Sequence, residues 1–173
     1  MTFRNLLMLA SATAVLAACN SSETPVDQAD GTAPLPVLTP TPTPTSAPDG
    51  TAIVAGSWQV GEDATGARAT YAAEGASPSL TIACDTRTRA VTLTLADAEP
   101  GSKSYAVEAG GQLARLDMNA DGAQAVSAEI DPTLALFAAF SQADTAIGFT
   151  DEAGAKQQYP THPGIQRVFY ACL

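Results

Sequence analysis

Two short stretches constrain this chain more than any others. In "SLTIACD" (79–85) Leu80, Ile82 and Cys84 fall on one face, with Thr81 and Ala83 on the other. In "AVTLTLA" (90–96) Val91, Leu93 and Leu95 face one way and Thr92 and Thr94 the other. A period of two is the signature of a strand with one face buried and one face wet. Slipping such a strand by one residue would turn its whole apolar set outward, so the register is specified as well as the element. The intervening "DTRTR" is a hairpin connection, which makes the pair antiparallel. Further strands are expected at 56–61 around Trp58, 67–73 around Tyr71, 104–109, 112–118, 123–129 and 145–150. A spacing of about 8–12 residues between short strands points to a β-sandwich or barrel.

Two late segments depart from the pattern. "DPTLALFAAFS" (131–141) places Asp131 as a helix N-cap and Pro132 at the first helical position. Its residues are apolar nearly all round, so this helix is expected to be buried. In "HPGIQRVFYACL" (162–173) Ile165, Val168, Phe169 and Cys172 recur at i, i+3, i+4 and i+7, a helical core stripe. The expected fold is therefore mainly β, an antiparallel β-sandwich or barrel with one or two short helices near the C-terminus. Residues 51–173 form a single globular domain, long enough to bury a core.

The first 50 residues read differently. Arg4 gives a short basic region, and Leu6 to Leu16 is an apolar run too short to span a bilayer, which takes roughly 20 helical residues. The run ends in Leu16-Ala17-Ala18-Cys19, which resembles the lipobox of bacterial lipoproteins. The resemblance implies a signal peptide over 1–18, removal of that peptide before Cys19, and acylation of Cys19. Asn20 stands where an inner-membrane retention signal would place Asp, which favours the outer membrane. Residues 20–50 are polar and Pro-rich, so they cannot bury enough apolar surface to offset their ordering entropy. "TPTPTPT" (39–45) alternates Pro with β-branched Thr, giving an extended spacer of about 3.1 Å per residue. Residues 19–50 thus read as a lipidated Cys and a tether. O-glycosylation is the alternative use of such a tract.

The chain has three Cys. With Cys19 given to lipid, Cys84 and Cys172 remain in an oxidising compartment. Both fall on inward faces, Cys84 on a strand and Cys172 on a helix. A Cys84–Cys172 disulfide follows, pinning the last helix to the sheet; two buried free thiols are the alternative.

Chemistry is thinly advertised. A net charge of −10, from 18 acidic and 8 basic residues, argues against nucleic acid, whose phosphates need clustered Lys and Arg. The single His excludes multi-histidine metal sites and the H-E-x-x-H zinc hydrolases. There is no G-x-S-x-G elbow and no S-x-x-K. His162, before Pro163, reads as a loop or capping residue rather than a catalytic one. Glu62-Asp63 and Asp151-Glu152 are sequence neighbours, whose side chains diverge in extended backbone, so neither reads as a working carboxylate pair. Trp58, Tyr71 and Tyr105 are candidates for a ligand surface, though core packing is the commoner fate of scattered aromatics. "DMNADG" (117–122) opens like a calcium loop, but the twelfth position is Ala128 where a bidentate Glu is needed. Its flanks alternate as strands, so Asp121-Gly122 reads as a hairpin turn. A surface cation held by Asp117, Asn119 and Asp121 is the alternative. No cofactor is expected.

One further resemblance bears on function. The stretch from "LTIACD" to "LDMN" is similar to the membrane-bound inhibitors of c-type lysozyme, small β-barrel lipoproteins. The resemblance implies a disulfide from an early Cys to one near the C-terminus, matched here by Cys84 and Cys172. It also implies a short loop that enters the lysozyme cleft, matched by Ser102, Lys103, Ser104 and Tyr105 in "GSKSY". The chain departs from that family in the reversed Gly-Ser order and in its two late helices. The domain also resembles the many proteobacterial envelope lipoproteins of unassigned role. The reading is thus a non-enzymatic lipoprotein, anchored by lipid on the periplasmic face of the envelope. It serves as a binding or structural module for an envelope protein or polymer. The alternatives are an inhibitor of c-type lysozyme and a hydrolase with an unrecognised site.

Overall fold

The computed structural model describes residues 45–96, 101–122 and 124–173. The expected signal peptide, the expected lipidation site at Cys19 and the expected tether up to residue 44 lie outside the described residues. Nine strands follow: β1 (Ser57–Asp63), β2 (Gly66–Ala72), β3 (Leu80–Asp85), β4 (Ala90–Ala96), β5 (Lys103–Ala109), β6 (Gln112–Ala120), β7 (Ala125–Ile130), β8 (Ala146–Thr150) and β9 (Lys156–Pro160). Helix α1 (Ala135–Ala138), extended by a 3₁₀ turn (Ala139–Ser141), precedes β8, and helix α2 (Ile165–Cys172) ends the chain. Every pairing is antiparallel, in the order β1-β2-β3-β4-β7-β6-β5-β8-β9. The fold is mainly β, a curled antiparallel sheet with two short helices, as the alternation predicts.

The register follows from burial. Leu80, Ile82 and Cys84 of β3 stand opposite Leu95, Leu93 and Val91 of β4, and all six are buried. Ala67, Ala69 and Tyr71 of β2 extend this inner face on one side, and Val126, Ala128 and Ile130 of β7 on the other. The β3–β4 connection closes as a tight turn in which the Asp85 carboxylate accepts from the Arg87 and Thr88 N–H groups. Curling comes from β6, which pairs with β5 up to Met118 and with β7 only at Asn119 and Ala120. Helix α1 packs against β5 and β6, with Leu136 and Phe137 buried. At the far edge the Val54 N–H donates to the Gln158 carbonyl at 2.8 Å, and the Trp58 indole donates to the Pro160 carbonyl at 2.7 Å. These two bonds bring the β1 edge to β9 and nearly close the curl.

An aromatic chain runs through the interior. Edge-to-face contacts link Tyr105 to Phe149, Phe149 to Tyr159, Tyr159 to Tyr71 and Tyr71 to Trp58, with ring centroids 5.3–6.4 Å apart. Each such pair adds about 0.5–1.5 kcal/mol beyond the area it buries. Helix α2 lies against β2, β3 and β4 through Ile165, Val168, Phe169 and Cys172, the stripe expected from spacing. Cys84 and Cys172 form a disulfide with Cα atoms 5.8 Å apart, well inside the reach of the bond.

Three details differ from the sequence reading. Asp131 does not cap α1. Its carboxylate accepts from the Thr133 N–H and hydroxyl, forming a local turn that delays the helix, and the N-cap position falls to Leu134. Strand β9, "KQQYP", has no counterpart in the sequence reading, because it is polar and ends in Pro; an edge position accommodates the Pro, and Asp49 accepts from the buried Gln158 amide. The folded domain also begins before residue 51. Ser46 bridges to Ala52, Ala47 is buried, and the turn they hold lies over β9. Among the described residues no helix is long and apolar enough to cross a membrane.

Candidate functional site

Two motifs read separately in the sequence meet in the structure. "GSKSY" is not the short loop that the lysozyme-inhibitor resemblance implies, since Lys103 to Tyr105 open β5, and "DMN" closes β6. In their register Ser104 stands opposite Asp117 and Lys103 opposite Met118. The Ser104 hydroxyl donates to the Asp117 carboxylate, which also accepts from Arg115 Nε at 3.0 Å. Arg115 Nη2 donates to Ser104 Oγ at 2.6 Å and lies 3.7 Å from Glu152. One step along, the Ser102 hydroxyl donates to Asn119 Oδ1 at 3.3 Å. The Ser104 hydroxyl and the Arg115 guanidinium hold the Asp117 carboxyl below its ordinary range. Tyr105 points the other way, 3 % exposed and packed on Phe149, so its ring is a core element. Asp121 and Gly122 form the turn, with Gly122 at φ 77°, a conformation glycine takes without strain. Among the described residues no three His, Cys, Asp or Glu side chains gather as metal ligands would.

Register also aligns a polar row across the outer face. Gln59 of β1 stands opposite Thr70, Thr70 opposite Thr81, Thr81 opposite Thr94, Thr94 opposite Ser127, and Ser127 opposite Asn119. Ser102 joins the end through its bond to Asn119. Neighbouring strands lie about 4.8 Å apart, so the row is a regular track of hydroxyls and amides. Thr81 and Thr94 were legible as outward from the alternation. The alignment of the whole row was not, because it depends on pairings between distant strands.

A second polar cluster sits on the outer face of β5, β8 and β9, where Glu108, Gly148 and Gln158 share one row. A Cβ at position 148 would lie 2.7 Å from Glu108 Cγ, so glycine lets Glu108 lie across β8 toward Lys156. Lys156 Nζ pairs with Glu108 Oε1 and, at 3.1 Å, with Asp49 Oδ2. Asp49 arrives on the turn that precedes β1; its Oδ1 accepts from Thr51 N–H and its Oδ2 from Gln158 Nε2 at 3.0 Å. The Thr51 N–H, then Lys156 and Gln158, hold the Asp49 carboxyl well below the usual range, and Glu108 and Asp49 raise the Lys156 ammonium. Gln158 is 2 % exposed, and its Oε1 is buried with no hydrogen-bond partner in the protein. An acceptor left so costs about 1–3 kcal/mol. Gln158, Asp49 and Glu108 line a cavity of about 490 Å³ with Ala47, Pro48 and Leu113. Nothing in the sequence singles this group out, because its members come from four separate segments.

The remaining candidates make hydrogen bonds within the protein. His162 Nδ1 accepts the Gly164 N–H at 3.0 Å, which places the proton of the neutral ring on Nε2. Burial pushes its pKa down. The His therefore offers a donor, not a base. Trp58 and Tyr71 spend their polar atoms on Pro160 and Val54 carbonyls at the seam. Asp63 and Asp151 each cap a turn, through Thr65 and Ala155. Comparison with known family models, curated proteins and solved structures yields no match for this chain.

Proposed function

We infer that this chain is a non-enzymatic, lipid-anchored module of the periplasmic face of the envelope, held at the outer membrane, whose β domain binds an envelope protein or polymer. The observation that carries the reading is the cysteine inventory. Of three Cys, two are joined as Cys84–Cys172, a bond suited to an oxidising compartment, and the third closes Leu16-Ala17-Ala18-Cys19. Lipid on Cys19 resolves what would otherwise be an orphan thiol. The outward track from Gln59 to Asn119 supports a binding role, because it offers repeated hydroxyl and amide groups to a partner with repeated polar groups. Cell fractionation tests the anchor: the native chain partitions with outer membrane, and Cys19→Ser releases it to the soluble periplasm. A Cys19→Ser chain that stays membrane-bound with unchanged processing overturns the reading. Crosslinking in intact cells tests the partner, and recovery of the chain without any envelope component would remove the binding role.

A second reading, inhibition of c-type lysozyme, is supported by one observation, the bond from an early strand to the C-terminal residues. It requires stoichiometric slowing of lysozyme by the purified chain and a weaker effect in Lys103→Ala. Unchanged lysozyme activity at equimolar protein rejects it.

A further inference from the structure

We propose that the outward track on β1, β2, β3, β4 and β7 binds a neutral glycan, a β-1,4-linked N-acetylhexosamine chain lying across the strands, with one ring seated beside Arg68. Resting on the binding role read from the track, this assignment narrows its partner to a polymer. Four observations converge. First, Gln59, Thr70, Thr81, Thr94 and Ser127 stand in register across the five strands. None of these side chains makes a hydrogen bond within the protein among the described residues, so their donors and acceptors are unspent. At about 4.8 Å per strand the row runs roughly 20 Å, room for several pyranose rings in line. Second, a cleft of about 480 Å³ opens on the same face, lined by Gln59 and Thr70 of the track together with Gly61, Arg68 and Ala83. Its size suits a small ligand unit. Arg68 stands in register between Gly61 and Ala83, so its long side chain is flanked by two low positions. A Cβ at position 61 would meet nothing within 4 Å. Third, Arg68 makes no hydrogen bond or close ion pair among the described residues. The Asp63 carboxylate is held by the N–H groups of Thr65 and Gly66 and feels Arg68 only through its charge. A guanidinium brings five donors and no acceptor, so the unit beside it must present a strong acceptor. An acetamido carbonyl does so without charge, whereas a carboxylate would meet Glu62 and Asp63, which also line the cleft. Fourth, the outward residues of β2, β3 and β4 are Thr and Ala, apart from Arg68 and the turn residue Asp85. A protein partner needs aromatic or aliphatic anchors to bury, and these strands turn outward no apolar side chain larger than Ala. A single guanidinium cannot follow a polyanionic backbone.

The test titrates chitohexaose, a neutral hexamer of β-1,4-linked N-acetylglucosamine, into the isotopically labelled full chain and follows backbone amide shifts. The expected shifts saturate and fall on residues 59–61, 68–70, 81–83, 92–94 and 127. Chitobiose, the dimer, binds more weakly by about tenfold or more, because it cannot reach both the cleft and the far end of the row. Thr81→Val keeps the shape and suits a strand but removes the hydroxyl in mid-row, weakening binding about tenfold, the loss of one hydrogen bond. Arg68→Met removes the donors from the cleft and weakens binding at least as much. Raising salt from about 0.05 M to about 0.2 M leaves the affinity unchanged, since a neutral ligand releases no counterions. Should Thr81→Val fail to fold, the dimer comparison and Arg68→Met decide. Absent shifts, shifts away from this face, equal binding of dimer and hexamer, or unchanged affinity in both variants would each overturn the proposal. Unmoved amides beside capture of an envelope protein in cells would sink the glycan and leave the binding module standing.

Discussion

Reducing the Cys84–Cys172 bond should lower stability by about 4–5 kcal/mol while leaving the native state recognisable. The bond closes a loop of 88 residues, and the chain-entropy relation for a loop of that length gives the figure at 25 °C. The native state has independent reasons to keep α2 in place. Ile165, Val168 and Phe169 are buried against the sheet, and Arg89 donates to the carbonyls of Cys172 and Leu173. The loss should therefore arise from freeing the unfolded chain, not from undocking the helix. For a domain of this size the loss corresponds to a fall of roughly 15 °C in Tm. The assay is equilibrium urea unfolding of oxidised and reduced full chain, paired with near-UV circular dichroism and dye binding below the transition. The account expects a lower midpoint, an unchanged native spectrum and a steeper dependence on urea, because the reduced unfolded chain exposes more surface. A loss below about 1 kcal/mol would refute the entropic reasoning. A native baseline that binds dye and has lost near-UV signal would show that the bond, not packing, holds α2.

Other consequences are narrower. Gly148→Ala forces Glu108 off β8, where the new Cβ would lie 2.7 Å from its Cγ, and should cost about 1–3 kcal/mol by urea unfolding; an unchanged midpoint would contradict the close approach. Phe149→Ala opens the middle of the aromatic chain at a residue 0 % exposed and should cost about 3–5 kcal/mol, against about 0.5 kcal/mol or less for Leu113→Ala at 71 % exposure. Stability should fall in two stages as pH drops. The folded pKa of His162 is depressed, so its contribution is full above the ordinary value near 6.5 and declines below it; those of Asp49, Asp63, Asp117 and Asp131 are also depressed, so theirs is full above about 4 and is lost as pH falls further. A Tm profile that His162→Asn leaves unaltered between pH 7 and 5 would remove the first stage. Thermal unfolding in millimolar calcium and in chelator should superimpose, and a calcium-dependent rise of several degrees would make Asp117, Asn119 and Asp121 a cation site after all.

What was legible in the chain is what local pattern encodes. Strands β3 and β4 could be read residue by residue because each has one buried face, and α2 because its four buried positions recur at helical spacing. The disulfide followed from parity and from two inward-facing positions. Strand β9 escaped because its identity is tertiary: Gln158 is buried beneath a turn contributed from more than a hundred residues earlier, and no alternation announces that. The start of α1 was misplaced because Asp131 and Pro132 suit a turn as well as a cap, and Thr133 decided between them. Strands at 104–109 and 112–118 were legible, but not that their register sets Ser104 of "GSKSY" against Asp117 of "DMNADG" and sends Tyr105 into the core. Glu108, Gly148 and Gln158 carry no motif at all, and only the pairing of β5, β8 and β9 brings them into a row.

The anchored-module reading stands or falls on the N-terminus of the mature protein. Intact-mass analysis of the chain purified from membranes measures it directly. The account predicts a polypeptide beginning at Cys19, heavier than its sequence by a diacylglycerol and an acyl chain, and lighter by the two hydrogens of the Cys84–Cys172 bond. A mass matching an unmodified chain, or a mature end elsewhere with the Cys19 thiol intact, would contradict it.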